Sequence, residues 1–198
     1  MLRARKLSLA GIAVGALALT VSTSVPLAYG HGYTTTPISR AKHCANGTVQ
    51  NCGAIQWEPQ STEGPKGFPA SGPVDGLLCS AGLAQFHELD DQRGGAWPAT
   101  RLTSGASYTF NWHLTAPHST TDFKYYITKQ GWDQNAPLTR AALDLNPFLT
   151  VPMNGGRPAN DVSHPGTLPN RSGRHMILAV WTINDTANAF YQCSDVNF

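Results

Sequence analysis

Seven histidines are spread through the 198 residues, and one of them, His31, stands just past a small residue at the foot of an apolar stretch, in LAYGHGYTTTP. A chain cut before His31 carries the α-amine and the ring Nδ1 on one residue, close enough to form a chelate on a single metal ion. An α-amine ordinarily titrates at about pH 8, well below lysine, so it yields its proton to a metal more readily near neutral pH. A second imidazole would complete three nitrogen donors, a set that binds Cu(II) most strongly among first-row divalent ions and also suits Cu(I). The other histidines are His43, His87, His113, His118, His164 and His175. His113 occupies the polar phase of a strand-like run. His118, in APHSTTD, falls in a turn-like segment where a ring can be presented at an edge, which favours it as partner while leaving the others open.

Rival metal chemistry finds less support. No C-x-x-C pair is present, as a thiolate zinc site would want, and no H-E-x-x-H spacing that would set a general-base carboxylate beside a zinc-bound water.

For His31 to be terminal, something must remove what precedes it. MLRARK is basic, LSLAGIAVGALALTV is an uncharged and mostly apolar run short for a membrane span, and small residues Ala28 and Gly30 flank Tyr29. This pattern predicts a secretory signal peptide over residues 1–30, cut after Gly30, and a secreted mature chain of 168 residues from His31 to Phe198. That length suits a single domain, which buries roughly 70% of the surface its unfolded chain exposes. Losing Arg3, Arg5 and Lys6 and no acid takes Lys+Arg from 14 to 11 against 12 Asp+Glu, so the formal charge moves from +2 to −1. A near-neutral domain lacks the electrostatic footprint for nucleic acid or an anionic membrane, which favours uncharged partners.

The elements that must position the histidines lie mostly after Thr103. SYTFNWHLT sets Tyr108, Phe110, Trp112 and Leu114 against Thr109, Asn111 and His113, the alternation of a strand with one buried face. FKYYITK (123–129), HMILAVWTIN (175–184) and AFYQCSDVNF (189–198) read as further strands, the second apolar enough to be central. From Pro37 to Pro98 the chain is rich in Gly, Pro and short polar residues, with room for a short helix or two in SAGLAQFHELDDQ. Several strands with Gly/Pro turns predict an all-β antiparallel sandwich carrying this stretch as a large surface loop, and loops so long are usually functional. Four cysteines in a chain bound for an oxidising compartment predict two disulfides. Three pairings are possible; the short loop favours Cys44 with Cys52, leaving Cys79 to tie the early region to the last strand through Cys193.

Four separated segments, in order, carry a resemblance: HGY at the mature start, WEPQSTEGPKGFP, LTAPHSTTDFKYYITK and RSGRHMILAVWTINDTANAFYQCSDVN. Through them the mature chain resembles, nearly end to end, the bacterial chitin-active lytic polysaccharide monooxygenases of auxiliary activity family 10, also described as chitin-binding proteins. The resemblance implies an immunoglobulin/fibronectin-III-like sandwich with a loop insert containing short helices. It implies a histidine brace for one copper ion, with His31 giving its amine and Nδ1 and His118 its Nε2. Phe190 resembles the aromatic that fills one axial side of the copper and Ala116 the small residue on the other. Glu63 is similar to the carboxylate that steers the activated oxygen, and Asp185 and Asn188 match polar positions around the copper or on the binding face. Trp57, beside Glu58, Gln60 and Thr115, stands where relatives often have a tyrosine, as an aromatic for stacking on sugar. Cys44–Cys52 matches the family's early bridge, and Cys79–Cys193 looks like a pair found in some members.

The implied chemistry is oxidative cleavage of β-1,4 linkages in crystalline chitin. An external electron donor reduces the copper, O2 or H2O2 is the co-substrate, and hydroxylation at C1 leaves a lactone that hydrates to an aldonic acid. The partners implied are a crystalline chitin surface, the donor and the oxidant, with no nucleic acid, no membrane and a monomeric, extracellular protein. Two other readings use the same residues differently: a non-catalytic carbohydrate-binding module, which would not need His31, and a secreted copper carrier, which would not need Trp57 or Glu63.

Overall fold

The computed structural model describes residues 30–198; the signal-peptide reading of residues 1–30 lies outside them but for Gly30. Two sheets form the body. β1 (His31–Thr36), β4 (Ser107–Ala116) and β7 (Asp161–Thr167) make a three-stranded sheet in the order β1-β4-β7. β2 (Glu63–Pro65), β5 (Thr120–Thr128), β6 (Leu143–Pro152), β8 (Arg174–Ile183) and β9 (Asn188–Asn197) follow the order β2-β9-β8-β5-β6, and β3 (Thr100–Arg101) joins as a parallel partner of β9. The other pairings are antiparallel, as the sandwich reading requires.

Alternation in β4 does what its pattern predicts: Phe110, Trp112 and Leu114 are buried between the sheets and Thr109 and Thr115 face out. They meet Phe123, Tyr125, Trp181 and Phe190 from the larger sheet, so the core between the sheets is mostly aromatic. Burying each such ring stabilises the fold by about 1.5–3 kcal/mol.

β8 is buried along nearly its whole length, so both its faces need cover. The second face is covered by the 37–98 stretch, which is a packed layer where the sequence reads as a surface loop. It holds one short helix, α1 (Arg40–Ala45), capped by the Ser39 hydroxyl accepting from the Lys42 amide, and 3-10 turns at Gly53–Gln56, Ala84–Leu89 and Arg93–Gly95. Ile55, Phe68, Leu78, Phe86, Leu89 and Trp97 pack from it against Tyr126, Met176, Leu178, Val180 and Tyr191 of the sheet.

Covalent and ionic ties fasten this layer. Cys44–Cys52 closes a small loop within it, and Cys79–Cys193 bridges it to β9 over 114 residues, both as read from the sequence. The buried Arg40 guanidinium donates to Asp195 (2.6 and 3.1 Å), the Leu89 carbonyl (2.8 Å) and Gln92 (2.9 Å), and Arg174 donates to the same carboxylate (2.8 Å). Charges this buried persist only when paired and hydrogen-bonded on every side.

Candidate metal centre and substrate face

The chain crosses from the small sheet to the large one between β4 and β5, and His118 sits in that three-residue corner. β1 runs antiparallel to β4 with His31 opposite Ala116, so strand register brings the first residue of β1 to within two residues of His118. Gly32 lets the two strands close: a Cβ there would stand 2.6 Å from the Leu114 side chain. Its amide donates to the Gln60 carbonyl (3.1 Å), which ties β1 to the insert.

Both histidines have rigid backing. The Trp181 indole N–H donates to the Thr120 hydroxyl (2.7 Å), which in turn donates to the His118 carbonyl (2.8 Å). The Asn184 amide donates to the carbonyl of Ser119 (2.9 Å). Phe190 is completely buried, stacks on Trp181 at 4.9 Å and places its ring 6.2 Å from that of His31. Its neighbour Tyr191 points into the other core, so the two adjacent rings face opposite sides, as strand geometry predicts.

His118 Nε2 is buried, lies 2.8 Å from Asp185 Oδ1, and yet has no hydrogen-bond partner. The nitrogen thus has a carboxylate at ion-pair distance but no hydrogen bond for its lone pair. A metal ion accepting that lone pair would satisfy it. Among the described residues no group of three or more His, Cys, Asp or Glu side chains is placed to hold a metal. A centre here therefore rests on two imidazoles and a main-chain nitrogen, and that nitrogen is a peptide amide until the Gly30–His31 bond is cut. The residues present fit the brace that the resemblance implies.

Around the pair stand the remaining predicted residues. Glu63 in β2 pairs with Phe190 in β9, and its Oε1 accepts from the Asn188 side chain (2.8 Å). Trp57 follows the Gly53–Gln56 turn and is 80% exposed, which rules out a core role and leaves a flat ring in solvent. Glu58, Thr115 and Asp185 are also exposed, and Ala116, Gln60 and Asn188 partly so. A cavity of about 420 Å³ runs between β2 and residues 72–83 and is lined by Glu63 and Asn188 but by neither histidine. Thr120, Trp181 and Gln192 were not singled out in the sequence. Gln192 donates to the carbonyls of Gly32 (3.4 Å) and Pro59 (3.1 Å) and to Thr62 (2.8 Å), joining three parts of the site from inside. Gln192 is one of several polar residues in NAFYQCSDVN, so nothing in the sequence set it apart.

Of the other histidines, His43, His164 and His175 are buried and their pKa values are lowered, first of all by desolvation; His113 pairs with Asp161 (2.7 Å), and His87 is exposed. None of them joins His31 and His118.

Known proteins resemble this chain over most of the described residues. Residues 31–196 match the family described as lytic polysaccharide mono-oxygenase, cellulose-degrading. The chain is 52% identical over 172 residues to an AA10 family lytic polysaccharide monooxygenase C of Mycosarcoma maydis, covering 85% of this chain and 52% of that protein. It is 46% identical over 185 residues to a GlcNAc-binding protein A of Shewanella oneidensis, covering 92% and 39%. The chain thus spans about half or less of these curated relatives. An AA10 lytic polysaccharide monooxygenase from Streptomyces lividans superimposes with a TM-score of 0.83 at 63% identity, covering 85% of this chain and all of that one. The chain belongs to family 10 of the lytic polysaccharide monooxygenases, whose members are copper enzymes.

Proposed function

We propose that this protein, processed to begin at His31, is a secreted, monomeric enzyme whose copper monooxygenase domain (residues 31–198) oxidises β-1,4 linkages of crystalline chitin at C1. The observation that carries the reading is the register that sets His31 of β1 opposite Ala116, two residues from His118, whose buried Nε2 makes no hydrogen bond and faces Asp185 at 2.8 Å. One copper ion would be held by the His31 amine and Nδ1 and by His118 Nε2, where it supplies one-electron redox chemistry toward O2 or H2O2 once an external donor has reduced it.

The chain's own residues hold, shield and orient. Trp181 and Thr120 fix the His118 backbone, so its ring needs little rearrangement to serve as ligand. Phe190 fills space beside His31 with a ring that donates no electrons to a metal, and Ala116 keeps the facing side small. Glu63 has lone pairs on both carboxylate oxygens, and Asn188 occupies one of these sites, which orients the group to hold a proton of the oxidant or a hydrogen bond. Exposed Trp57 offers a face for the apolar side of a sugar ring, and the solvent-accessible Glu58, Gln60, Thr115 and Asp185 offer polar contacts. A solid substrate laid over this face excludes water and limits escape of the oxidant. Hydroxylation at C1 cleaves the linkage and leaves a lactone that hydrates to the aldonic acid.

Chitin is favoured by the resemblance and by the GlcNAc-binding relative; the family description favours cellulose as the second reading. Mass spectrometry of soluble products from copper-loaded protein, ascorbate and either β-chitin or cellulose decides. Aldonic-acid chitooligosaccharides that vanish without copper and in His118→Ala are the expected result. Products from cellulose alone would reassign the substrate. No products from either, with chitin binding intact and His31 confirmed as first residue, would make this a binding module.

A further inference from the structure

Lys66 lies one residue past β2, half-buried, and its ammonium donates to the carbonyl oxygens of Ile183 (3.2 Å), Asn184 (3.4 Å) and Thr186. All three carbonyls belong to the end of β8 and the turn into β9 that carries Asp185. Among the described residues this ammonium makes no ion pair; carbonyl dipoles alone meet its charge. Its backbone is held as well, with its amide donating to the Ala187 carbonyl (2.9 Å) and its carbonyl accepting from the Ser71 hydroxyl (3.0 Å).

The turn that Lys66 grips touches both halves of the site. On one side Asn184 donates to Ser119, next to His118, and Asp185 Oδ1 lies 2.8 Å from His118 Nε2. On the other, the Asn188 amide donates to the Thr186 hydroxyl (3.2 Å) and its side chain donates to Glu63. Asn184, Asp185 and Ala187 are exposed, so little apolar burial holds the turn. Such segments take their order from the few polar contacts they make. Three carbonyl oxygens turned to one point repel unless a donor sits between them, and an ammonium has three donors and no acceptor. A lysine is therefore suited to this place in a way that a neutral side chain of equal length is not.

We propose that Lys66 is a positioning residue of the candidate centre: its ammonium sets the 183–187 turn, and through it holds Asp185 against His118 and Asn188 against Glu63. It touches neither metal nor substrate. The importance of that placement rests on the functional reading above, but the placement itself can be measured without copper.

Hydrogen–deuterium exchange of the metal-free mature protein gives the first test. In Lys66→Met, amides 184–187 should exchange about tenfold faster while those of β4, β5 and the middle of β8 stay unchanged. Loaded with Cu(II), the variant should show an altered electron paramagnetic resonance spectrum and about tenfold slower oxidation at unchanged chitin affinity. Lys66→Cys alkylated with 2-bromoethylamine regains an ammonium at nearly the same reach and should regain the original exchange and spectrum; the four native cysteines are tied in disulfides and do not react. In the unaltered protein the Lys66 ammonium protons, seen by 15N NMR, should exchange with water at least about tenfold more slowly than those of Lys129. Unchanged exchange at 184–187, acceleration spread evenly over all strands, failed recovery on alkylation, or a fast-exchanging Lys66 ammonium would each overturn the proposal. If the unaltered protein makes no oxidised sugar, the redox reading falls, and the exchange data still decide the role of Lys66.

Discussion

Phe190 and Tyr191 are consecutive in β9, both fully buried, and they face different layers. Phe190 looks into the space between two regular sheets, where Trp112, Phe123 and Trp181 fill the core by strand alternation. Tyr191 looks into the 37–98 layer, where 3-10 turns, a buried Arg40–Asp195 pair and two disulfides replace regular structure. The candidate site draws on both. From the sandwich and its turns come His31, His118 and Phe190, which would hold and shield a metal, with Thr115 and Asp185 beside them; from the 37–98 stretch come Trp57, Glu58 and Gln60, which would meet substrate, and Glu63, whose strand β2 joins the large sheet. The difference teaches a division of labour: the ligands sit on a strand end and a short corner that the sheets fix, and the most exposed aromatic sits where an irregular layer can vary without moving them.

The sharpest way to break that division is to remove a ligand from the sandwich. His118→Ala, or one extra residue before a processed His31, should weaken Cu(II) binding by more than about 100-fold, since loss of even an outer partner of a ligand costs 10–100-fold. Glu63→Gln and Trp57→Ala should leave copper affinity within a few-fold of the unaltered protein. Isothermal titration with Cu(II) measures all four. Equal losses from insert and sandwich variants would erase the distinction, and full affinity in the extended chain would remove the amine from the ligand set.

Unfastening the insert tests the other half. Replacing Cys79 and Cys193 together by serine should lower unfolding free energy by about 2–5 kcal/mol, the usual effect of losing a native bridge. Hydrogen exchange should quicken across residues 37–98 more than in β4 and β5, with copper affinity kept. Exchange that quickens equally in the sandwich would mean that the two layers unfold as one unit.

The same contrast explains what could be read from sequence. The runs at 107–115, 123–129, 175–184 and 189–198 all became strands, and all lie inside a sheet: β4 between β1 and β7, β5 and β8 centrally, and β9 between β8 and β2. Their neighbours on both sides demand apolar patterning. β1, β6 and β7 went unread, and each is an edge strand. Pro147 in β6 and Pro165 with Gly166 in β7 are tolerated there because an edge has one ladder to satisfy, and Gly32 in β1 serves close packing. The insert read as a loop because its core contacts come from single side chains on turns, which leave no period. His118 was legible as a residue in a strand-to-strand turn, and its pairing with His31 in space followed only from the β1–β4 register, which belongs to an unread strand. The roles of Glu63 and Phe190 came from resemblance, because a loop acid and a buried ring carry no local signal.

Protonation probes the sandwich core without altering a residue. His164 is buried, its Nδ1 lies 2.7 Å from the Tyr125 hydroxyl, and Tyr125 also accepts from the Trp112 indole (3.1 Å). Desolvation lowers the His164 pKa from 6.5 to about 4. Below pH 6.5 the unfolded chain takes up a proton that the folded protein refuses, so this group's share of stability is complete above 6.5. It is lost as pH falls from there to about 4, by on the order of 2–3 kcal/mol. Ring signals of His164 followed by NMR in the folded protein should stay in the neutral form down to about pH 5. A midpoint near 6.5 would show that this part of the core is open to water, contrary to the burial of His164 between the sheets.

Smallest in energy, yet most telling for the insert, is Trp57. Its ring is in solvent, so Trp57→Ala removes no core contact and should leave the unfolding midpoint unchanged. Aromatic stacking is worth about 0.5–1.5 kcal/mol, which converts to a roughly two- to tenfold weaker binding to β-chitin. Trp57→Tyr keeps a ring and should recover most of the affinity, because stacking needs the flat apolar face more than the indole N–H. Depletion binding assays on the metal-free protein separate this from any effect on catalysis. If Trp57→Ala binds chitin as well as the unaltered protein, the crystal face must dock elsewhere. The polar group of Asp185 and Thr115 around His118 would then carry the contact, and the insert would support the site without presenting it.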